Sequence, residues 1–336
     1  MHRTAPRPRR PSADVVTAVA TAGAAAGAVV VATPEWFGLA GTPPFAWAVP
    51  FRVPLGLGLA ALAGVGGLAG LRWRRALPAA AAVAVVAAAS LTVTAHRGLS
   101  AGELPPALDG DVTVVASNVL HARADRDAVA ALVVDAGAQV VSLPEATRAY
   151  AEDVAARVEA ASGRDLQVFF TGDRGGRAEE GTALLVGAEL GEYRQTDDFA
   201  GSATAVTTAV PVSGDGPPLA AVHTTAPVPG NLREWSREVP AVSEWCAAHP
   251  GALAAGDFNA TVDHPGLGAE GGCVDAGAAT GTGARGTWPS DVPAVLGATI
   301  DHALADGSAW RAVGTSVRDV PGTDHRALVA RWRPTA

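Results

Sequence analysis

Three stretches without a charged side chain, Val15–Thr33, Leu55–Leu71 and Leu77–Ala95, most constrain what this chain can fold into. Each is close to the roughly 20 apolar residues that a helix needs to cross a hydrocarbon core. Arg3, Arg7, Arg9 and Arg10 precede the first stretch, and Arg72, Arg74 and Arg75 separate the second from the third. The positive-inside rule puts both basic clusters in the cytoplasm. The loop bearing Trp36, Phe37, Phe45, Trp47 and Phe51 is then external, with rings suited to the membrane interface. Three crossings leave everything after His96 outside. A cleaved signal peptide is the bland alternative for the first stretch, but two more apolar stretches follow and no clear small-x-small cleavage site is present. The second stretch is the least apolar because of its glycines. Were it not to span, two crossings would keep the C-terminal part inside. The expectation is a multi-pass plasma-membrane protein with a cytoplasmic N-terminus, residues 1–97 forming the anchor.

Beyond the anchor the composition changes sign. Residues 1–97 hold nine Arg and two acids, whereas 98–336 hold sixteen Arg and thirty-one acids, a formal balance of −15. So acidic a region repels a polyanion unless a metal and local Arg compensate. That disfavours tight, processive binding to duplex DNA and suits a small phosphodiester, a lipid headgroup or a transient nucleic-acid encounter. The chain has no lysine and is rich in Ala and Gly. A coding bias of that kind weakens every propensity argument. Two cysteines, Cys246 and Cys273, are too few for a disulfide scaffold. They either pair outside the cytoplasm or are two small core residues.

Residues 98–110 read as a Gly/Pro-bearing linker, and 111–336 as the catalytic domain. Buried apolar runs predict strands at Val112–Ala116, Gln139–Leu143, Leu166–Thr171, Thr182–Val186, Thr204–Val210, Leu219–His223, Ala252–Ala255, Ile300–Ala305 and Leu328–Trp332. Helical periodicity marks Arg126–Asp135, Thr147–Ala160 with Thr147 as N-cap, and Asn231–His249 with a possible break at Pro240. Strands mixed with a few long helices imply an α/β fold of two packed sheets flanked by helices.

The polar residues that interrupt these runs carry the chemistry. Asn118 follows the first strand, in Ser117-Asn118-Val119. Glu145 ends Val141-Ser142-Leu143-Pro144-Glu145, and His223 ends Ala220-Ala221-Val222-His223. Gly256-Asp257-Phe258-Asn259 follows another strand. In extended backbone Asp257 and Asn259 share a side. Asp301 in Ile300-Asp301-His302 and the run Thr323-Asp324-His325-Arg326 complete the set. Asp, Asn and Glu are the oxygen ligands that Mg²⁺ prefers, and a carboxylate on one imidazole nitrogen fixes the tautomer and raises basicity at the other. Taken singly, each motif is as well explained by an Asx turn, a helix N-terminus or packing. His302 alternates away from Asp301 and reads as packing or rim. Trp288 lines a groove or fills core.

In order and local spelling these motifs resemble the endonuclease/exonuclease/phosphatase superfamily, across about 111–333. The resemblance implies a four-layer α/β/β/α sandwich, here preceded by about three transmembrane helices, with the site at one end of the two sheets. It implies Mg²⁺ (or Mn²⁺) held by Glu145 with Asn118 and Asp324. It further implies a catalytic set of His223, Asp257, Asn259, Asp301 and His325. Pro144 stands where the family commonly has Gln, and Thr323 where it usually has Ser. The implied activity is hydrolysis of a phosphate ester by an extracytoplasmic domain. Its substrate would be a lipid headgroup, a small phosphodiester or a nucleic acid. A secreted-type nuclease and a non-catalytic membrane sensor are the alternatives, and no specific protein partner is implied. Among basic residues, Arg174, Arg177 and Arg326 are candidates to lie near the site.

Overall fold

Two helices of 21 residues each, α2 (Arg52–Arg72) and α3 (Leu77–Arg97), stand against one another after a single turn, α1 (Phe45–Ala48). At 1.5 Å per residue each reaches about 31 Å, the thickness of a bilayer's hydrocarbon core. Only 11% and 17% of their most apolar windows are buried against protein. Leu57, Leu62, Val65, Leu68 and Leu71 stand exposed along α2. An apolar surface this large needs lipid rather than water around it, which points to membrane association. The computed structural model describes residues 22–23, 26–172, 181–199, 205–214, 216–267 and 273–335. Among them two helices, not about three, are long and apolar enough to span. Nine of the nineteen residues of the first expected span, Val15–Thr33, lie outside the described residues. Its described end, 26–32, is helical, with Ala28 and Ala32 packed on Val86.

Three of the glycines of α2, Gly56, Gly66 and Gly70, face α3. A Cβ on Gly56 would lie 2.9 Å from Leu91, and one on Gly70 2.2 Å from Leu77, both residues of α3. Small residues at a helix contact let two membrane helices approach closely.

The rest is mixed α/β with two sheets. The first has seven strands in the order β1 (Gly102–Glu103), β12 (Trp310–Asp319), β13 (Arg326–Pro334), β2 (Val112–Ala116), β3 (Val140–Pro144), β5 (Thr182–Gly187), β4 (Leu166–Thr171). The second has six: β10 (Cys273–Asp275), β11 (Asp301–Asp306), β9 (Leu253–Asp257), β8 (Leu219–His223), β7 (Thr207–Pro211), β6 (Tyr193–Thr196). Among the described residues only β2/β3 and β8/β9 pair parallel.

Three apolar clusters hold these parts. Val129 and Val133 of α4 (Arg126–Ala136) and Tyr150, Val154 and Val158 of α5 (Arg148–Ser162) cover Val115, Val141 and Leu185 on the first sheet. Val114, Leu184 and Trp332 of that sheet meet Leu219, Leu253 and Ala303 of the second. Trp235, Val242 and Trp245 of α6 (Leu232–Ala248) cover Val222, Ala254 and Leu304 on the second sheet's other face. Two of the three expected helices are capped by side chains: Asp125 accepts from Ala128 N at 3.0 Å and Thr147 from Tyr150 N at 3.1 Å. The break at Pro240 is absent. The helix runs through it because buried residues on both sides of Pro240 grip the same sheet.

Cys246 of α6 and Cys273 of β10 form a disulfide across 27 residues. The bridge therefore encloses the Gly256–Asn259 segment. Closing a loop of that length stabilises a fold by about 3–4 kcal/mol. The double variant Cys246→Ala/Cys273→Ala should lose that much in denaturant unfolding of the full-length protein. Matching midpoints would show the bridge to be dispensable.

Candidate active site

Strand register places the first three polar groups in a row. Asp257 at the end of β9 lies opposite His223 on β8 and opposite Asp301 on β11. Residues opposite one another share a face. That face is the one Ala221, Ala255 and Ala303 present to the first sheet. The row therefore closes one end of the space between the sheets. Asn118 and Glu145, just past β2 and β3, close the same end from the other sheet. Asn118 Nδ2 donates to Glu145 Oε1 at 2.9 Å and to Asp257 Oδ2 at 3.0 Å, bridging the two sheets.

His223 Nε2 faces Glu145 Oε1 at 3.8 Å and Asp257 Oδ2 at 4.0 Å. His325, just before β13, sets Nε2 3.8 Å from Asp257 Oδ2. Its Nδ1 bonds Asp301 Oδ2 at 2.9 Å. Asp301 is fully buried, and its backbone N–H is held by Thr287 Oγ1 at 3.1 Å. Asp324 Oδ2 accepts from Trp288 Nε1 at 2.9 Å.

Two expected roles change in detail. Asn259 does not share a side with Asp257. The backbone turns at Asn259 with φ 47°, so strand alternation ends there. Its Nδ2 donates to Thr224 O at 2.9 Å, and its backbone N–H donates to Asp257 Oδ1 at 2.8 Å. Asn259 thus orients Asp257 and ties down the loop after His223. Asn118 turns its oxygen to Leu120 N at 2.9 Å, so its N–H₂ faces the carboxylates. In this rotamer it orients Glu145 and Asp257 rather than offering oxygen to a cation.

His121 is a neighbour the sequence did not single out. Its Nδ1 lies 3.0 Å from Glu145 Oε2, and its backbone N–H donates to the same oxygen at 3.1 Å. Leu120, His121 and Ala122 all have positive φ, as does Glu145. Non-glycine residues in that region are uncommon and gather at functional sites. No sequence motif announces such a loop.

Arg326 bonds Asp319 and the carbonyls of Pro289 and Ser290, holding the Trp288 loop from behind. Arg174 and Arg177 lie outside the described residues. His302 is packing: Nδ1 bonds Asp275 at 2.8 Å and Nε2 bonds Ala260 O at 2.9 Å. Burial opposes its charge, but Asp275 outweighs burial and raises its pKa.

The charges are mutually dependent. Burial pushes the Asp257 carboxyl up, His325 and His223 pull it down, and Asp301 pushes it up again. Burial disfavours the His325 cation, but Asp301 and Asp257 outweigh it and raise the imidazole to about 10. His325 thus stabilises the fold fully below about pH 6.5, and loses that contribution as pH rises toward 10. In metal-free protein the His325 ring should therefore titrate near pH 10 by NMR. A midpoint near 6.5 would refute the ion pair.

The donor set fits a hard divalent cation. Asp257, Asp301 and His325 offer ligand atoms within 4.8 Å of one another and could hold one. Among the described residues, Asp301 Oδ1 and Asp324 Oδ1 are buried without a hydrogen-bond partner. A buried anionic oxygen with no partner is destabilising unless a cation or donor meets it.

No curated protein matches the chain. Among solved structures, a humanised D. rerio TDP2 with 14 mutations is 17% identical, with 67% of this chain and 100% of that chain covered and a TM-score of 0.51. An endonuclease/exonuclease/phosphatase family protein from Leptotrichia buccalis C-1013-b is 12% identical, with 66% and 99% covered and the same TM-score of 0.51. At such identities the likeness concerns the fold alone. The sequence profile of the Endonuclease/Exonuclease/phosphatase family matches residues 115–325, which contain every site residue described above, and the chain belongs to that family.

Proposed function

We propose that the protein is a membrane-anchored, metal-dependent phosphodiester hydrolase whose catalytic domain, residues 111–336, lies outside the cytoplasm. The family's members are generally metal-dependent phosphoesterases or nucleases. The single observation that carries the proposal is the meeting of Glu145, His223, Asp257, Asp301 and His325 at one end of the inter-sheet space. The three apolar clusters trace helix, sheet, sheet, helix, and we take the layers in that order.

Glu145 and Asp324 would hold Mg²⁺ or Mn²⁺, because a His325 kept protonated by Asp301 cannot be the ligand that the Asp257, Asp301 and His325 group would otherwise offer. When bound, the cation would supply a positive charge beside the phosphoryl and leaving oxygens. Asp257, fixed by Asn259 N and Asn118 Nδ2, orients a water for in-line attack and takes its proton. Its raised basicity suits that task. The water oxygen bonds phosphorus as the ester P–O bond breaks. His325, kept protonated by Asp301, donates to an equatorial oxygen and cannot at the same time be the base. His223 serves the same charge from the β8 side.

The anchor supports the extracytoplasmic placement. Arg52 and Arg97, at the domain ends of α2 and α3, are paired with Glu35 and Asp263. Arg72, Arg74 and Arg75 stand exposed at the opposite ends. A cluster of Arg marks the cytoplasmic side, and a disulfide suits the other. The test is hydrolysis of bis-p-nitrophenyl phosphate by the full-length protein with Mg²⁺, with EDTA, and in His325→Ala. Turnover that EDTA and the substitution both abolish supports the proposal. No metal-dependent turnover of this diester or of any lipid or nucleic-acid phosphoester would favour the non-catalytic sensor instead.

A further inference from the structure

The anchor and the cleft share a wall. Trp47 Nε1 donates to Pro227 O, in the loop that follows His223. His264, in the loop that leaves Asp257, donates from Nε2 to Ala46 O at 3.2 Å, while its Nδ1 accepts from Thr261 N at 2.8 Å. Phe51 lies against Trp288, ring centres 6.2 Å apart, and Trp288 is the residue that holds Asp324. Asp263 in the Asp257 loop is gripped by Arg52 and Arg97 together. Gly98 O, just past α3, accepts from Ala284 N at 2.8 Å. Among the described residues, the three loops that meet the anchor are loops that carry or brace the site. The active-site end of the sheets is therefore the end set down on the bilayer.

The rim agrees with that placement. Trp36 and Phe37 from the anchor loop are 72% and 51% exposed, and Val228 and Val295 from the cleft loops 49% and 39%. The turn Ala294–Leu296, which carries Val295, packs on α2. Large apolar side chains exposed on the anchor loop and on the site loops suit the headgroup region, where aromatic rings in particular settle. A formal balance of −15 over 98–336 repels a long polyanion arriving from solution.

We infer that the cleft is fed from the membrane: its substrate is a phosphate ester joined to a lipid tail, which stays in the bilayer beside α2 and α3 while the phosphate reaches Asp257 and His325. This rests on the phosphodiester-hydrolase proposal above and names the substrate class for the same site.

Full-length protein reconstituted in vesicles of phosphatidylethanolamine, phosphatidylglycerol and cardiolipin, with Mg²⁺, tests it. Lipid phosphoester in the protein's own vesicles should turn over at least ten-fold faster than the same lipid offered in separate, protein-free vesicles. Turnover confined to bis-p-nitrophenyl phosphate or to oligonucleotides overturns the inference and leaves the hydrolase standing. No turnover of lipid or soluble diester overturns the hydrolase and this inference together. A second measurement does not depend on the headgroup. Val228→Cys and Val295→Cys, each labelled with an environment-sensitive fluorophore, should be quenched by lipids carrying a spin label near the headgroup. Water-like emission from both, unquenched, contradicts a mouth at the membrane.

Discussion

Asp257→Asn is expected to lower kcat for diester hydrolysis by about 10³-fold while KM changes little. Asp257 Oδ1 accepts from Asn259 N at 2.8 Å, and Oδ2 accepts from Asn118 Nδ2 at 3.0 Å. An amide in its place has only one oxygen for these two donors, so its own N–H₂ must confront one of them. The substitution removes the proton acceptor and also spoils the orientation of what remains. The fold should survive, because a buried charge with a raised pKa is itself destabilising. Steady-state kinetics together with an unfolding midpoint separate the two effects. A fall of less than ten-fold in kcat, in a folded variant, would place the proton transfer elsewhere.

Gly256→Ala should destabilise the protein by about 4 kcal/mol or more, a large share of the roughly 5–15 kcal/mol that holds a domain together. A Cβ at this position would sit 2.0 Å from Val222 O, which is backbone of the paired strand β8 and cannot swing aside. The φ of 148° is itself one that a side chain rarely tolerates. Val222 directly precedes His223 and Gly256 directly precedes Asp257, so widening this gap would separate two site residues. Low yield of folded protein, or a much reduced denaturant midpoint, is the expected result. A loss below 1 kcal/mol would mean that β8 and β9 are not so closely joined.

The parts legible in the sequence were those where burial leaves a local mark. β2, β4 and β8 are largely apolar runs, and their bounds match the expectation residue for residue. The strands that escaped notice lack such a mark. β6 reads Tyr-Arg-Gln-Thr at a sheet edge, β10 has only three residues, and β12 is half-exposed and slips register between Ala312 and Gly314. The candidate site was legible through its acids and imidazoles, because they end strands whose order brings them together. Side-chain direction was not. Asn259 depends on one positive φ, and the hydrogen bonding of Asn118 depends on a loop of three more. His121 enters the site through that same loop. Nor could hydropathy show that Phe51 of the anchor touches Trp288 of the site, since that contact joins residues far apart in the chain.

The most direct test is Mn²⁺ binding followed by electron paramagnetic resonance on the full-length protein. If the proposed ligands are right, a tightly held ion is expected, with binding lost in Glu145→Gln and in Asp324→Asn while the fold persists. Binding that ignores both substitutions, or no tight binding at all, would contradict a metal centre assembled between the two sheets.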